Sequence, residues 1–252
     1  MESRKDKERE FHNKTFSDNT REKASKFYEI TQSSRAYYRN FLQANCKSAK
    51  VLEYGCGPGS FSFFLSKAGA EVFGIDISDV AIHQAKQRAR QEKLNNIVFN
   101  VMDAESLDFK DETFDLICGT GILHHLNLDK AYSELARVLK PEGKAIFLEP
   151  LGHNPFINVY RKLTPNLRTA DEHPLLMRDV KLGEKLFGKI DPKYFHLLSI
   201  MSVPFRKVPG FRFLLNVLDA LDSSLFALFP FARKYAWTIV FVLSQPSKSL
   251  AD

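Results

Sequence analysis

At 252 residues, with 44% hydrophobic and 26% charged side chains, the chain has the composition of a soluble globular protein and room for one large domain or two small ones. The charged start MESRKDKERE lacks the apolar stretch of a secretory signal, the apolar run Ala236 to Leu243 is too short to span a bilayer, and Cys46, Cys56 and Cys118 form no CxxC pair, which excludes a disulfide framework or a cysteine zinc site and fits a reducing cytoplasm. The net charge of +6 is uneven: residues 1–150 balance 22 Lys/Arg against 22 Asp/Glu, while residues 151–252 carry 14 against 8, an excess that could serve an anionic partner and is expected to be a solvated face.

In chain order, residues 1–47 are charged and then aromatic, with Phe27, Ile30, Tyr37, Tyr38 and Phe41 at helical spacing, and predict a frayed start followed by a helical cap. Short apolar runs at 50–54, 71–76, 97–102, 114–119 and 144–149 predict strands buried on both faces, with helices between them at 59–68, 78–93 and 129–139. Pro141-Glu142-Gly143 marks a stop and turn before the last of these runs. Strands alternating with helices imply βαβ crossovers and a mostly parallel sheet with helices on both faces. After Pro150 the rhythm breaks: residues 151–192, rich in Pro, Gly, His and Arg, predict a lid insertion with one helix at 178–188. A strand from Tyr194 to Ile200, a helix at 210–229 and a strand from Trp237 to Leu243 close what reads as a single domain of core (48–150), lid and C-terminal elements (193–252).

The stretch VLEYGCGPGS, residues 51–60, follows the first strand with Gly55, Gly57 and Gly59. Such a turn brings backbone N–H groups close to a ligand at a helix start. It does not fit the dinucleotide fingerprint G-x-G-x-x-G, since Ser60 stands at the third glycine, and Glu53 would repel a pyrophosphate. Glu53-x-Gly55-x-Gly57-x-Gly59 instead resembles the first motif of the class I S-adenosylmethionine-dependent methyltransferases, in their small-molecule, quinone-biosynthesis-like branch. VFGIDIS, NVMDAESL, FDLICGTGILHHL and ARVLKPEGKAIFLEP resemble the family's later segments in order, so that the likeness covers roughly residues 48–150.

The resemblance implies a Rossmann-like seven-stranded sheet with an antiparallel last strand, and S-adenosylmethionine as cofactor, leaving as S-adenosylhomocysteine. It implies that Asp76, beside Ile77, accepts from the ribose hydroxyls, and that Asp103 meets the adenine amino group with Ala104 backbone beside the ring. Gly55, Cys56, Gly57, Gly59 and, on the fourth strand, Gly119 would approach the cofactor, and Glu53 would answer the cationic amino-acid end through the loop backbone or a water.

The implied reaction is in-line methyl transfer to an O, N or C nucleophile of a small, aromatic or apolar acceptor, for which a histidine could serve as base. His124 and His125 follow the fourth strand, and each reads equally as a base or as a helix-start residue bonded to backbone. Glu149 could orient substrate, bond the lid or cap its strand; His153, Arg168 and His173 are expected in a substrate-facing lid network, with His153 or His173 as outside candidates for the base. Asp171-Glu172-His173 point in different directions and predict no metal site. Cys56 and Cys118 read as packing residues. Arg212, Asn216, Asp219 and Asp222 form a polar stripe whose acids argue against a membrane-surface helix, so packing on the sheet is expected. An RNA-directed methyltransferase is the alternative, disfavoured by GTGILHH in place of an N/D-P-P-Y/F motif; a non-catalytic relative that only binds the cofactor is the other. Neither the oligomeric state nor the acceptor is legible.

Overall fold

The central strands are near-continuous runs of Val, Ile, Leu and Phe, as strands covered on both faces must be. In the computed structural model, which describes residues 4–17, 29–164 and 174–247, they build one seven-stranded sheet. The elements are α1 (Arg4–Ser17), α2 (Gln32–Asn45), β1 (Lys50–Tyr54), α3 (Ser62–Lys67), β2 (Glu71–Asp76), α4 (Asp79–Gln91), β3 (Ile97–Val101), β4 (Phe114–Thr120), α5 (Leu128–Val138), β5 (Leu139–Pro150), α6 (Pro155–Leu163), α7 (Met177–Lys181), β6 (Phe187–Phe195), α8 (Phe211–Leu228) and β7 (Thr238–Pro246). Strand order is β3-β2-β1-β4-β5-β7-β6, with β7 antiparallel to both neighbours and the rest parallel. The chain winds outward from β1 to β3 and returns on the other side to β4. That reversal opens a crevice at the C-terminal ends of β1 and β4, where open α/β sheets bind ligands.

Successive side chains of β1 serve opposite faces. Val51 packs with Tyr38 and Leu42 of α2 and Ile82 and Ala85 of α4, while Leu52 packs with Ala131, Tyr132 and Leu135 of α5. Helix starts are set by side chains that accept from free backbone N–H groups: Ser78 from Ala81 (3.1 Å), Asn127 from Lys130 (3.2 Å) and Asn154 from Ile157 (3.0 Å). Among the described residues no helix is long and apolar enough to cross a membrane.

Several boundaries differ from expectation. The edge strand β6 spans Phe187–Phe195, not Tyr194–Ile200, which instead runs into a 3-10 turn at Ser199–Phe205. An edge strand has few apolar residues and tolerates Pro192, so it carries no periodic signal. Residues 187–192, assigned to the lid, are therefore sheet, and the helix expected at 178–188 is the short α7 followed by a 3-10 turn at Leu182–Lys185. Helix α6 lies inside the presumed lid; Asn154-Pro155, a cap followed by proline at the first helical position, was its readable signal. Pro141-Glu142-Gly143 does interrupt pairing: Phe114 faces Leu139, and Leu116 already faces Lys144.

Candidate active site

Gly55 and Gly57 adopt φ of +70° and +52°, the left-handed region that side chains avoid, and so let the chain fold back directly after β1. A Cβ on Gly55 would lie 2.8 Å from Ile122, and one on Gly57 3.2 Å from Phe16. The backbone amide of Gly57 donates to Asp76 Oδ2 (2.8 Å), and that of Ser78 to Oδ1 (2.9 Å), which locks this carboxylate at the end of β2. A carboxylate offers about four acceptor positions, so each oxygen keeps room for a ligand donor.

One turn further along the sheet edge, Asp103 Oδ1 accepts from the Glu105 amide (2.8 Å), and its Oδ2 pairs with Lys5. The buried Tyr54 hydroxyl donates to the Ala104 carbonyl and fixes this turn from below. Gly55, Gly57, Asp76, Ile77, Asp103 and Ala104 together line one cavity, which encloses about 100 Å³ beneath α1.

Helix α1 forms the roof. Arg4, Lys5, Glu8, His12 and Phe16 reach the cavity, four of them at a strict four-residue spacing that puts them on one helical face. Arg4 pairs with Glu105 and donates to the His125 carbonyl; Asn13 joins α1 to α4 by accepting from Ser78 Oγ (2.6 Å) and donating to Asp79 (2.8 Å). These residues were missed because a stripe of mixed charge shows no apolar periodicity, although the spacing itself was visible.

The far wall is Thr120, Gly121, Ile122, His125 and Leu126. His125 Nδ1 is buried, makes no hydrogen bond, and lies 3.4 Å from Glu8 Oε2; His12 Nε2 is also 3.4 Å from that oxygen. Burial lowers the His125 pKa, with Glu8 opposing, so the ring is neutral near pH 7. Two imidazoles and a carboxylate with ligand atoms within 4.8 Å of one another could also hold a divalent ion. Asp171, Glu172 and His173, read from the sequence as forming no metal site, lie outside the described residues.

Other expected site residues lie behind the cavity wall. Glu53, 2% exposed, accepts from the amides of Phe61 (2.8 Å) and Ser62 (2.7 Å) and from the Ser62 hydroxyl. It therefore tethers the start of α3 to the glycine loop and has no contact with the cavity, a correction to its expected partner. Burial pushes its carboxyl up to about 7, against the hydrogen bonds from Ser62 and Phe61. A folded-state value above the unfolded 4.5 means the native state holds the extra proton. This group's stabilising share is complete below pH 4.5 and is lost as the pH rises through 7, on the order of 3 kcal/mol in all. Urea titrations of Glu53→Gln should show a flatter dependence of stability on pH across that window than wild type.

Cys56 is fully buried with its Sγ toward the Gly57 carbonyl (3.3 Å); Gly59 lies against the Phe63 ring and Gly119 against Phe147. None of the three lines the cavity. His124 is turned away from it, with Nδ1 2.7 Å from Glu149 Oε2. Glu149, fully buried, also accepts on Oε1 from the amides of Ile122 (2.8 Å) and Leu123 (2.9 Å). It shapes the turn that presents His125 and touches no open space. His153 sits in the turn after β5, outside the cavity. Arg168 and His173 lie outside the described residues.

Comparison with known proteins gives a consistent picture. Residues 51–143 match the family described as a methyltransferase domain. The ubiquinone biosynthesis O-methyltransferase of Coxiella burnetii is 37% identical over 106 residues, 42% of this chain and 45% of that protein. The demethylmenaquinone methyltransferase of Lactiplantibacillus plantarum is 36% identical over 107 residues, 40% of this chain and 45% of that protein. The match thus spans less than half the length of these curated relatives. In fold, the chain is similar to phosphoethanolamine N-methyltransferase 2 of Haemonchus contortus, solved with phosphomonomethylethanolamine and S-adenosylhomocysteine, at a TM-score of 0.64 and 18% identity over 92% of this chain and 59% of that one.

Proposed function

We propose that this chain, whose residues 51–143 match the family described as a methyltransferase domain, is a class I S-adenosylmethionine-dependent methyltransferase that transfers the methyl group to a small-molecule acceptor. The observation that carries this reading is the cavity itself. Two anchored carboxylates, Asp76 and Asp103, close the ends of β2 and β3 beside a glycine turn without Cβ atoms, and a neutral histidine faces them. The residues fit such a cofactor: Asp76 would take its ribose diol, Asp103 and the Ala104 backbone its adenine, and the Gly55–Gly57 backbone its amino-acid end.

When bound, the cofactor supplies an already activated methyl on sulfur, so the protein's task is to place the acceptor in line. Phe16, Ile122 and Leu126 offer an apolar wall for it. That wall, together with the quinone-directed names of the relatives, supports an aromatic, quinol-like acceptor. His125 Nδ1 is buried against Glu8, which orients the ring and stabilises the imidazolium that forms, and Nε2 is the nitrogen left to take the acceptor's proton. His124 and Glu149 hold the turn beneath it and take no part in proton transfer. Buried, unpaired cysteines support a reducing, cytoplasmic setting.

A screen of quinols, phenols and amines, read by mass gain of one methyl, should find an acceptor; turnover confined to RNA fragments would overturn the substrate class. With an acceptor in hand, His125→Ala should lower kcat about 10²- to 10⁴-fold and leave cofactor affinity unchanged. The acid limb of the wild-type rate profile should fall below pH 6.5, because activity is lost as His125 gains its proton. A rate unchanged by His125→Ala would remove it from the chemistry.

A further inference from the structure

Large apolar side chains are exposed mainly at one end of the protein. On α8, Phe213 (74% exposed), Val217, Leu221 and Leu228 (72%) fall within a sector of roughly 80° on the helix surface. The buried face, with Leu215, Asp222 and Phe226, lies on the opposite side. Turns packed against α8 continue the exposed surface with Met201, Phe205, Phe229 and Phe231 (71%).

The acidic stripe expected to keep this helix off a membrane is turned inward. Asp222 is 2% exposed and accepts from the amides of Leu197, Leu198 and Ser199, and Asp219 lies 3.6 Å from the buried His196. Residues 199–237 contain five cations (Arg206, Lys207, Arg212, Arg233, Lys234) and only those two acids. Lys207, Arg212 and Lys234 are exposed around the apolar face. We propose that this surface of α8 and its flanking turns docks on an anionic membrane, burying Phe213, Val217, Leu221 and Leu228 at the interface while Lys207, Arg212 and Lys234 meet the headgroups.

An exposed apolar sector, interrupted by Ser224 and flanked by cations, with Asp222 buried and Asp219 part-buried, fits an interfacial helix. A second copy of the chain is the poorer occupant, because a two-fold interface would bring the three exposed cations of one copy onto a surface carrying the same three. The basic excess of residues 151–252, otherwise unexplained, is accounted for in part by this ring. The inference does not depend on methyl transfer.

The test is co-flotation of the full chain with vesicles of phosphatidylcholine alone or mixed equally with phosphatidylglycerol, at low and high salt. Binding should require phosphatidylglycerol and weaken with salt. The combined Lys207→Gln, Arg212→Gln and Lys234→Gln variant should bind about 100-fold more weakly, at about 5-fold per charge. Phe213→Ser and Leu221→Ser should each cost about 10-fold. All replaced side chains are exposed, so melting curves should match wild type, and circular dichroism checks this. Equal binding to both vesicles, no binding to either, or binding unchanged by these variants would overturn the proposal. So would a concentration-dependent dimer in sedimentation that Phe213→Ser dissociates.

Discussion

Replacing Asp76 with alanine should reduce affinity for S-adenosylmethionine and S-adenosylhomocysteine at least 100-fold in calorimetric titration, with the fold retained. The carboxylate stands at the end of β2, receives one backbone donor on each oxygen, and faces the cavity with its remaining acceptor positions. A ligand diol would add two hydrogen bonds to a charged acceptor, each worth about 1.5–3 kcal/mol, so losing both costs two to four powers of ten. The variant also frees the Gly57 amide, and the loop then loses the bond that shapes it. Asp76→Asn separates the two effects: the amide keeps the bond to Gly57 through its oxygen, and affinity should fall less than in alanine. If Asp76→Ala binds the cofactor like wild type, the ribose assignment fails.

The largest effect on stability is expected at Glu149. Its side chain is fully buried and holds the amides of Ile122 and Leu123 together with the His124 ring. In Glu149→Ala these three groups lose their partner, the Leu123 amide and the His124 ring in buried surroundings and the Ile122 amide at the cavity wall, at about 1–3 kcal/mol each. The sum, about 4 kcal/mol, corresponds to a fall in Tm of roughly 10 °C for a chain of this size. Because the 3-10 turn at Leu123–His125 is built on this carboxylate, methyl transfer should drop more than cofactor affinity. Scanning calorimetry beside a binding titration would show the split. A Tm within 2 °C of wild type, roughly the shift expected from a loss of only 0.5–1 kcal/mol, would contradict the role given to Glu149.

Much of the core was legible because parallel strands covered on both faces announce themselves as apolar runs. β1, β2, β3 and β4 lie within two residues of their expected bounds. β6 was misplaced for the converse reason, an exposed edge strand having no such run. At the site, residue type was easier to read than direction. Glu53, His124 and Glu149 were recognised as unusual carboxylates and imidazoles, yet all three point inward and hold loops. Spacing on a strand or turn says which residues are near an edge, and only the packing decides which of them faces the ligand. Residues of α1 were missed altogether, because nothing local links Glu8 and His12 to His125, more than a hundred residues away. The inward turn of Asp219 and Asp222 was equally hidden, and with it the apolar face of α8.

The central claim is that the cavity under α1 holds S-adenosylmethionine. Titrating the wild-type chain in a calorimeter with S-adenosylmethionine, S-adenosylhomocysteine and NAD tests it directly. The expected result is one site of micromolar affinity for each of the first two and no heat from NAD. No binding of either sulfur ligand at millimolar concentration, or tighter binding of NAD, would contradict it.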